Sequence, residues 1–233
     1  MDTKETGAMQ KATKVIYPKN TARTQTVSLL WRELRAHAPF TLAGTLTAVA
    51  LLAFVAWMEV PQRISELLFW MLHPAHVLLS ALVTVAMYRR HAGRGLWATL
   101  AVGYVGSVGI ATVSDCLIPY VGEWLLGLPG AEPHIGFIEK WWLVNPLALL
   151  GIVLGWAVPR TKVPHAGHVL LSTWASLFHM TMATGGYGIL TLGLVPVFVF
   201  LAVWLPCCTS DIVFPLLFVD PAASSDESAA PKE

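Results

Sequence analysis

Charge is what this sequence has least of. Asp, Glu, Lys and Arg make up 12% of its 233 residues, roughly half the share in a soluble domain. That shortage argues against a water-soluble globule and for a chain whose surface meets lipid. The apolar stretches are continuous rather than alternating, which argues against a transmembrane barrel. Cysteine is scarce as well: Cys116 stands alone and Cys207 and Cys208 are adjacent, so no disulfide framework is expected. There is no nucleophile elbow, no His-Glu-x-x-His and no basic patch with interleaved aromatics, and nucleic acid is not an expected partner. Gly185-Gly186-Tyr187-Gly188 lacks the setting of a phosphate loop and reads as a tight turn. The first 38 residues are polar and basic, far too long for the charged lead of a secretory signal.

What is present is a set of uncharged stretches of roughly 20 residues, the length that crosses a bilayer. They predict an all-α polytopic membrane protein with six spans, near Phe40–Met58, Trp70–Tyr88, Leu96–Ile118, Trp141–Val158, His165–Ala183 and Gly188–Leu205, the last with an apolar extension to Val219. A short interfacial turn is expected at 61–69. Residues 1–38 form a cytoplasmic arm, in which Val27, Leu30, Trp31 and Leu34 fall at helical spacing beside Arg32 and Arg35. That pattern suits an amphipathic helix lying on the membrane surface. Residues 121–140 make an extracytoplasmic connection, and 220–233, rich in Ala, Ser and Pro, read as a disordered tail.

Basic residues orient the spans. With both termini inside, 13 of the 15 Lys and Arg residues fall on the cytoplasmic side, leaving Arg63 and Lys140 outside. Positive residues favour cytoplasmic loops, so the expected location is a cell (inner) membrane, multi-pass. Trp57, Trp70, Trp141 and Trp142 fall near span ends, where interfacial aromatics belong.

The strongest internal signal is a repeat. His-x-x-His-Val-Leu-Leu-Ser occurs at His73–Ser80 and again at His165–Ser172, 92 residues on. Ser-Asp-x-x-x-Pro follows each copy, at Ser114-Asp115-Pro119 and Ser210-Asp211-Pro215, 96 residues apart. Two unlike patterns in one order at nearly one offset imply duplication, here of residues 39–120 and 141–219. Three spans per copy would insert the second copy upside down, a 3+3 inverted repeat of the kind common in secondary transporters.

The repeated residues are those that bind metals. Histidines three apart share a helix face, so His73 with His76, and His165 with His168, can each address one ion. Pro74 suits a first helical turn, so each pair is expected to open its helix. A lone pair of this kind is more often two hydrogen-bonded core histidines; its duplication favours ligation. Asp115 and Asp211 are the acids embedded in long apolar segments, where a carboxylate is expensive and defaults to a functional reading. The following prolines are expected to break the helix and free a carbonyl. The competing reading makes both aspartates interfacial caps, Asp115 near the outer edge and Asp211 near the inner. Cys207 lies four residues before Asp211, on its face, and would favour a transition metal over Mg or Ca. A buried cysteine is equally a small hydrophobe.

His179 reads as a core histidine, and Glu59, Glu66, Glu123 and Glu139 as a solvated outer face. The leading expectation is a transporter of a divalent transition-metal cation (Zn, Fe, Mn, Co or Ni) with half-sites His73/His76/Asp115 and His165/His168/Asp211, rather than an enzyme. Two helices broken at Pro119 and Pro206 would let the halves share one ion; straight helices would separate them. A membrane-embedded metalloenzyme with two histidines and one aspartate, a haem-binding redox subunit and a purely structural membrane protein are the alternatives. The small size of a six-span chain admits a homodimer.

Overall fold

The computed structural model describes residues 19–90, 95–157, 162–184 and 188–208, with Phe214. Within these, the side chains of 19–30, 32–34, 36–37, 90, 162–165, 189–190 and 207–208 are outside the description. The expectations for Asp211 and the tail therefore lie outside the described residues, as do those for the side chains of His165, Cys207, Val27, Leu30, Arg32 and Leu34.

Among the described residues the chain is all helical. α1 is Lys19–Trp57, α2 Gln62–Arg90, α3 the continuous rod Leu96–Leu125, α4 the short turn Gly136–Glu139, α5 Trp141–Ala157, α6 Lys162–Met182 and α7 Ile189–Cys208. Three helices are long and apolar enough to cross a membrane: Ala38–Trp57 within α1, Gln62–Arg89, and α3. Trp141–Ala157 and Thr191–Pro206 are shorter apolar helices. Large apolar side chains face outward all round, among them Leu46, Phe54, Leu67, Val105, Val153 and Val197. Such a surface on a water-soluble monomer would aggregate; against lipid it is the ordinary exterior.

α1 runs unbroken from Lys19 through Pro39 into the apolar segment, with the Arg35 guanidinium 5.0 Å over the Trp31 ring. α2 begins at Gln62, so the expected turn at 61–69 is helix instead. His73 and Pro74 consequently sit in the middle of a helix, not at its start. Proline there removes one backbone hydrogen bond and crowds the preceding turn, and the packing of α2 against α5 and α6 holds the rod together. The second copy does open its helix, since His165 is in the first turn of α6.

α2 is the centre of the bundle, packed most extensively on α6 and then on α5. Glycine makes the α5 contact close. A methyl group at Gly151 would collide with the Leu78 carbonyl oxygen, and one at Gly155 would stand 2.5 Å from the Leu82 carbonyl. Gly103 of α3 meets Val85 and Ile152 in the same way. Small residues that bring backbones together drive helix association where the hydrophobic effect between helices is weak. α6 is different in kind: His168, Ser172, Thr173, Ser176, His179 and Thr181 are all buried. Its polar side is turned wholly inward.

α3 corrects a second expectation. Pro119 does not break it. Two π-helical turns, Val105–Gly109 and Val113–Leu117, interrupt its α-helical pitch, and the helix continues through Pro119 to Leu125. A π turn inserts one residue and is a recognised way to absorb a distortion within a helix. Pro206 likewise lies inside α7, which continues to Cys208.

A buried carboxylate between two histidine helices

Asp115 is at the centre of the π turn Val113–Leu117. Its neighbours Val113 and Leu117 face outward, while Ser114, Asp115 and Cys116 are fully buried. Asp115 therefore lies inside its helix and does not cap it. It stands ten residues before the end of α3, and His73 eleven residues into α2. Each is about 15 Å from its nearer helix end at 1.5 Å per residue.

Four hydrogen bonds saturate the carboxylate. His73 Nδ1–H and His76 Nδ1–H both donate to Asp115 Oδ2, at 2.9 and 2.6 Å. Ser114 and Ser172 hydroxyls both donate to Oδ1, at 2.7 Å each. Ser176 donates to the Ser114 carbonyl at 3.1 Å and fastens α6 to the π turn. A carboxylate offers about four lone-pair positions, and here every one is taken. Hydrogen bonds to a charged group contribute about 1.5–3 kcal/mol each, enough together to offset the several kcal/mol that burying the charge costs.

The carboxylate fixes the histidine tautomers. It can only accept, so both Nδ1 atoms carry hydrogen. In the neutral rings each Nε2 then presents a lone pair. Metal-bound histidines show this arrangement, giving the other ring N–H to a carboxylate that orients the ring. His73 Nε2 is buried with no hydrogen-bond partner. It faces Gly136, where any side chain would collide with it, and Phe69 stacks on the ring with centroids 5.4 Å apart. His76 lies parallel to His168 of α6, centroids 5.6 Å apart and planes 9° from parallel.

His168 and Ser172 of the second copy join the Asp115 cluster of the first. Among the described residues no three His, Cys, Asp or Glu side chains enclose one point as a closed metal cage. Among the described residues the contacts are a carboxylate-centred hydrogen-bond network in which His73 Nε2 has no hydrogen-bond partner. Imidazole nitrogen and carboxylate oxygen together make a donor set of borderline hardness. Cys116 packs among Phe69, Phe178 and Met182, as a small hydrophobe would.

A second cluster was missed in the sequence. Glu123 is not on a solvated face: it is 1% exposed, and its Oε1 lies 2.5 Å from Nδ1 of His179, itself fully buried. His179 Nε2 donates to the Pro133 carbonyl at 3.4 Å. Glu59, Glu66 and Glu139 are exposed as expected. The available signal was spacing. His179 is eleven residues past His168, an interval that returns to nearly the same helix face; Glu123, eight past Asp115, falls about 80° round a regular helix.

Comparison with protein-family models, curated proteins and solved structures finds no match for this chain.

Proposed function

We propose that this protein is an integral membrane carrier for a divalent transition-metal cation. The cation is its substrate, held in transit by the Asp115-oriented imidazoles of His73 and His76 with His168 beside them. In this reading the chain crosses a cell (inner) membrane six times. α5, α6 and α7 complete the set begun by the three long apolar helices, as a 3+3 inverted repeat with both termini cytoplasmic. The asymmetry of Lys and Arg supports that orientation, and the duplicated motifs support the repeat. Asp211, with His165 and Cys207, would continue the path toward the inner face.

One observation carries the reading: the orphaned, buried Nε2 of His73 on a ring whose other nitrogen is already given to a carboxylate. An unmade hydrogen bond at a buried nitrogen costs about 1–3 kcal/mol. A cation with affinity for imidazole, entering as Gly136 draws back from the ring, removes that penalty when it arrives and restores it on leaving. An incomplete shell suits transport, since binding must be strong enough to admit the ion and weak enough to release it.

The test is metal content of the detergent-purified protein, together with radiometal flux in cells, for wild type, His76→Ala and His168→Ala. Wild type should retain a transition metal through purification. Each variant should keep its helical signal but lose at least tenfold in bound metal, the loss typical of disturbing a metal site, and lose flux in step. Absence of metal from all three proteins, with unchanged flux, would end the proposal.

A further inference from the structure

Glu123 and His179 form a buried ionisable pair that the cation site does not use. Their contact fixes the position of a proton. A carboxylate oxygen and an imidazole nitrogen 2.5 Å apart would repel if both presented lone pairs, so one proton lies between them. The second ring nitrogen lies 3.4 Å from the Pro133 carbonyl, an acceptor that suits a proton on that nitrogen as well. Glu123 Oε2 is buried and has no partner, which leaves one position on the pair open.

The surroundings lead in two directions. Toward the surface, the His134 ring meets the His179 ring edge-on with centroids 5.5 Å apart. His134 is 24% exposed, with Glu139 at 3.4 Å and Glu132 at 3.9 Å. Toward the middle stands Phe69, edge-on to His179 at 5.1 Å and stacked on His73 at 5.4 Å. One apolar ring separates the two clusters. The titratable groups in contact with His179 are Glu123 of α3 and His134 of the connection, with Glu132 and Glu139 beside His134.

We infer that Glu123 and His179 are a proton-binding station that exchanges with water at the His134 face, insulated by Phe69 from the cation site. One proton passes from water to the pair, which gains one positive charge; on release the proton returns to water and the Oε1–Nδ1 contact opens. No other bond changes. That this proton is coupled to cation movement rests on the proposed carrier function; the station itself does not.

Two measurements separate these claims. The first is proton and nitrogen NMR of histidine-labelled, metal-free full-length protein in lipid nanodiscs. Wild type should show two far-downfield protons bonded to histidine nitrogens, one from the His76–Asp115 contact and one from the His179–Glu123 contact. The second should vanish in Glu123→Gln and in His179→Gln, and remain in His76→Gln, which removes the first. Fewer than two such signals in wild type, or both surviving in His179→Gln, would overturn the station. If one variant fails to fold, the other decides by the same signal. The second is proton movement accompanying metal flux in proteoliposomes. Glu123→Gln should keep its bound metal and lose the accompanying proton movement at least tenfold; unchanged proton movement would overturn the coupling. A wild type that moves no metal would sink the carrier function and the coupling with it, while the NMR result still stands on its own.

Discussion

Replacing Asp115 by alanine is expected to abolish cation flux and to destabilise the folded bundle by about 3–5 kcal/mol, the range for removing one partner from a buried charged pair. Both Nδ1 donors, of His73 and His76, lose their described acceptor, and the hydroxyls of Ser114 and Ser172 lose their shortest hydrogen bonds and keep longer ones at 3.3 Å. No water reaches a residue at 0% exposure to replace them. Asp115→Asn separates charge from shape. The amide keeps the volume but turns one acceptor oxygen into a donor, which then faces either two imidazole N–H groups or two hydroxyls. The hydroxyls can rotate to accept; the N–H groups cannot. The asparagine variant should therefore fold with a smaller loss than alanine and still carry no cation. Equilibrium unfolding in mixed micelles, with radiometal flux on the same proteins, measures both. Full flux in Asp115→Asn would mean that the charge is not needed.

The second large effect is expected at Gly151. Valine there meets the Leu78 carbonyl, which belongs to the α2 backbone and cannot rotate aside as a side chain would. α5 must move away from α2, opening the contacts of Val77 with Val144 and Ala148 and of Ala81 with Ile152. Overpacking a core costs about 1–3 kcal/mol, and an immovable backbone obstacle puts Gly151→Val at or above the top of that range. Gly109→Val is the control: nothing lies within 4 Å of a methyl group at Gly109, and unfolding should shift little. Equal stability of the two variants would contradict the α2–α5 packing described.

The sequence made some of this legible and hid the rest for physical reasons. Scarce charge and long apolar stretches announced a helical chain with a lipid-facing exterior, because composition alone decides which surface a helix can bury. The association of His73, His76 and Asp115 was also within reach, since histidines at helical spacing and a lone acid in an apolar segment have few other ways to be satisfied. Their exact partners were not. His168 and Ser172 reach Asp115 across helices, and no periodicity within α6 reports which carboxylate it faces. Proline misled twice. Pro119 read as a break, which ended the third span early and pushed Glu123 into an aqueous connection. The π turn at Val113–Leu117 carries the helix past that proline and keeps Glu123 inside, opposite His179. Pro74 read as a helix start, yet α2 had already begun at Gln62. A local rule about one proline ring cannot see the packing that overrides it.

The central claim is that a transition-metal cation is the substrate of the imidazoles oriented by Asp115. X-ray absorption at the metal edge of purified, zinc-loaded protein tests it most directly. The account predicts a nitrogen and oxygen shell at about 2.0–2.1 Å with the outer-shell scattering of imidazole rings, and loss of that scattering in the variant lacking both His73 and His76. A spectrum of zinc surrounded by water oxygens alone, the same in wild type and variant, would contradict it.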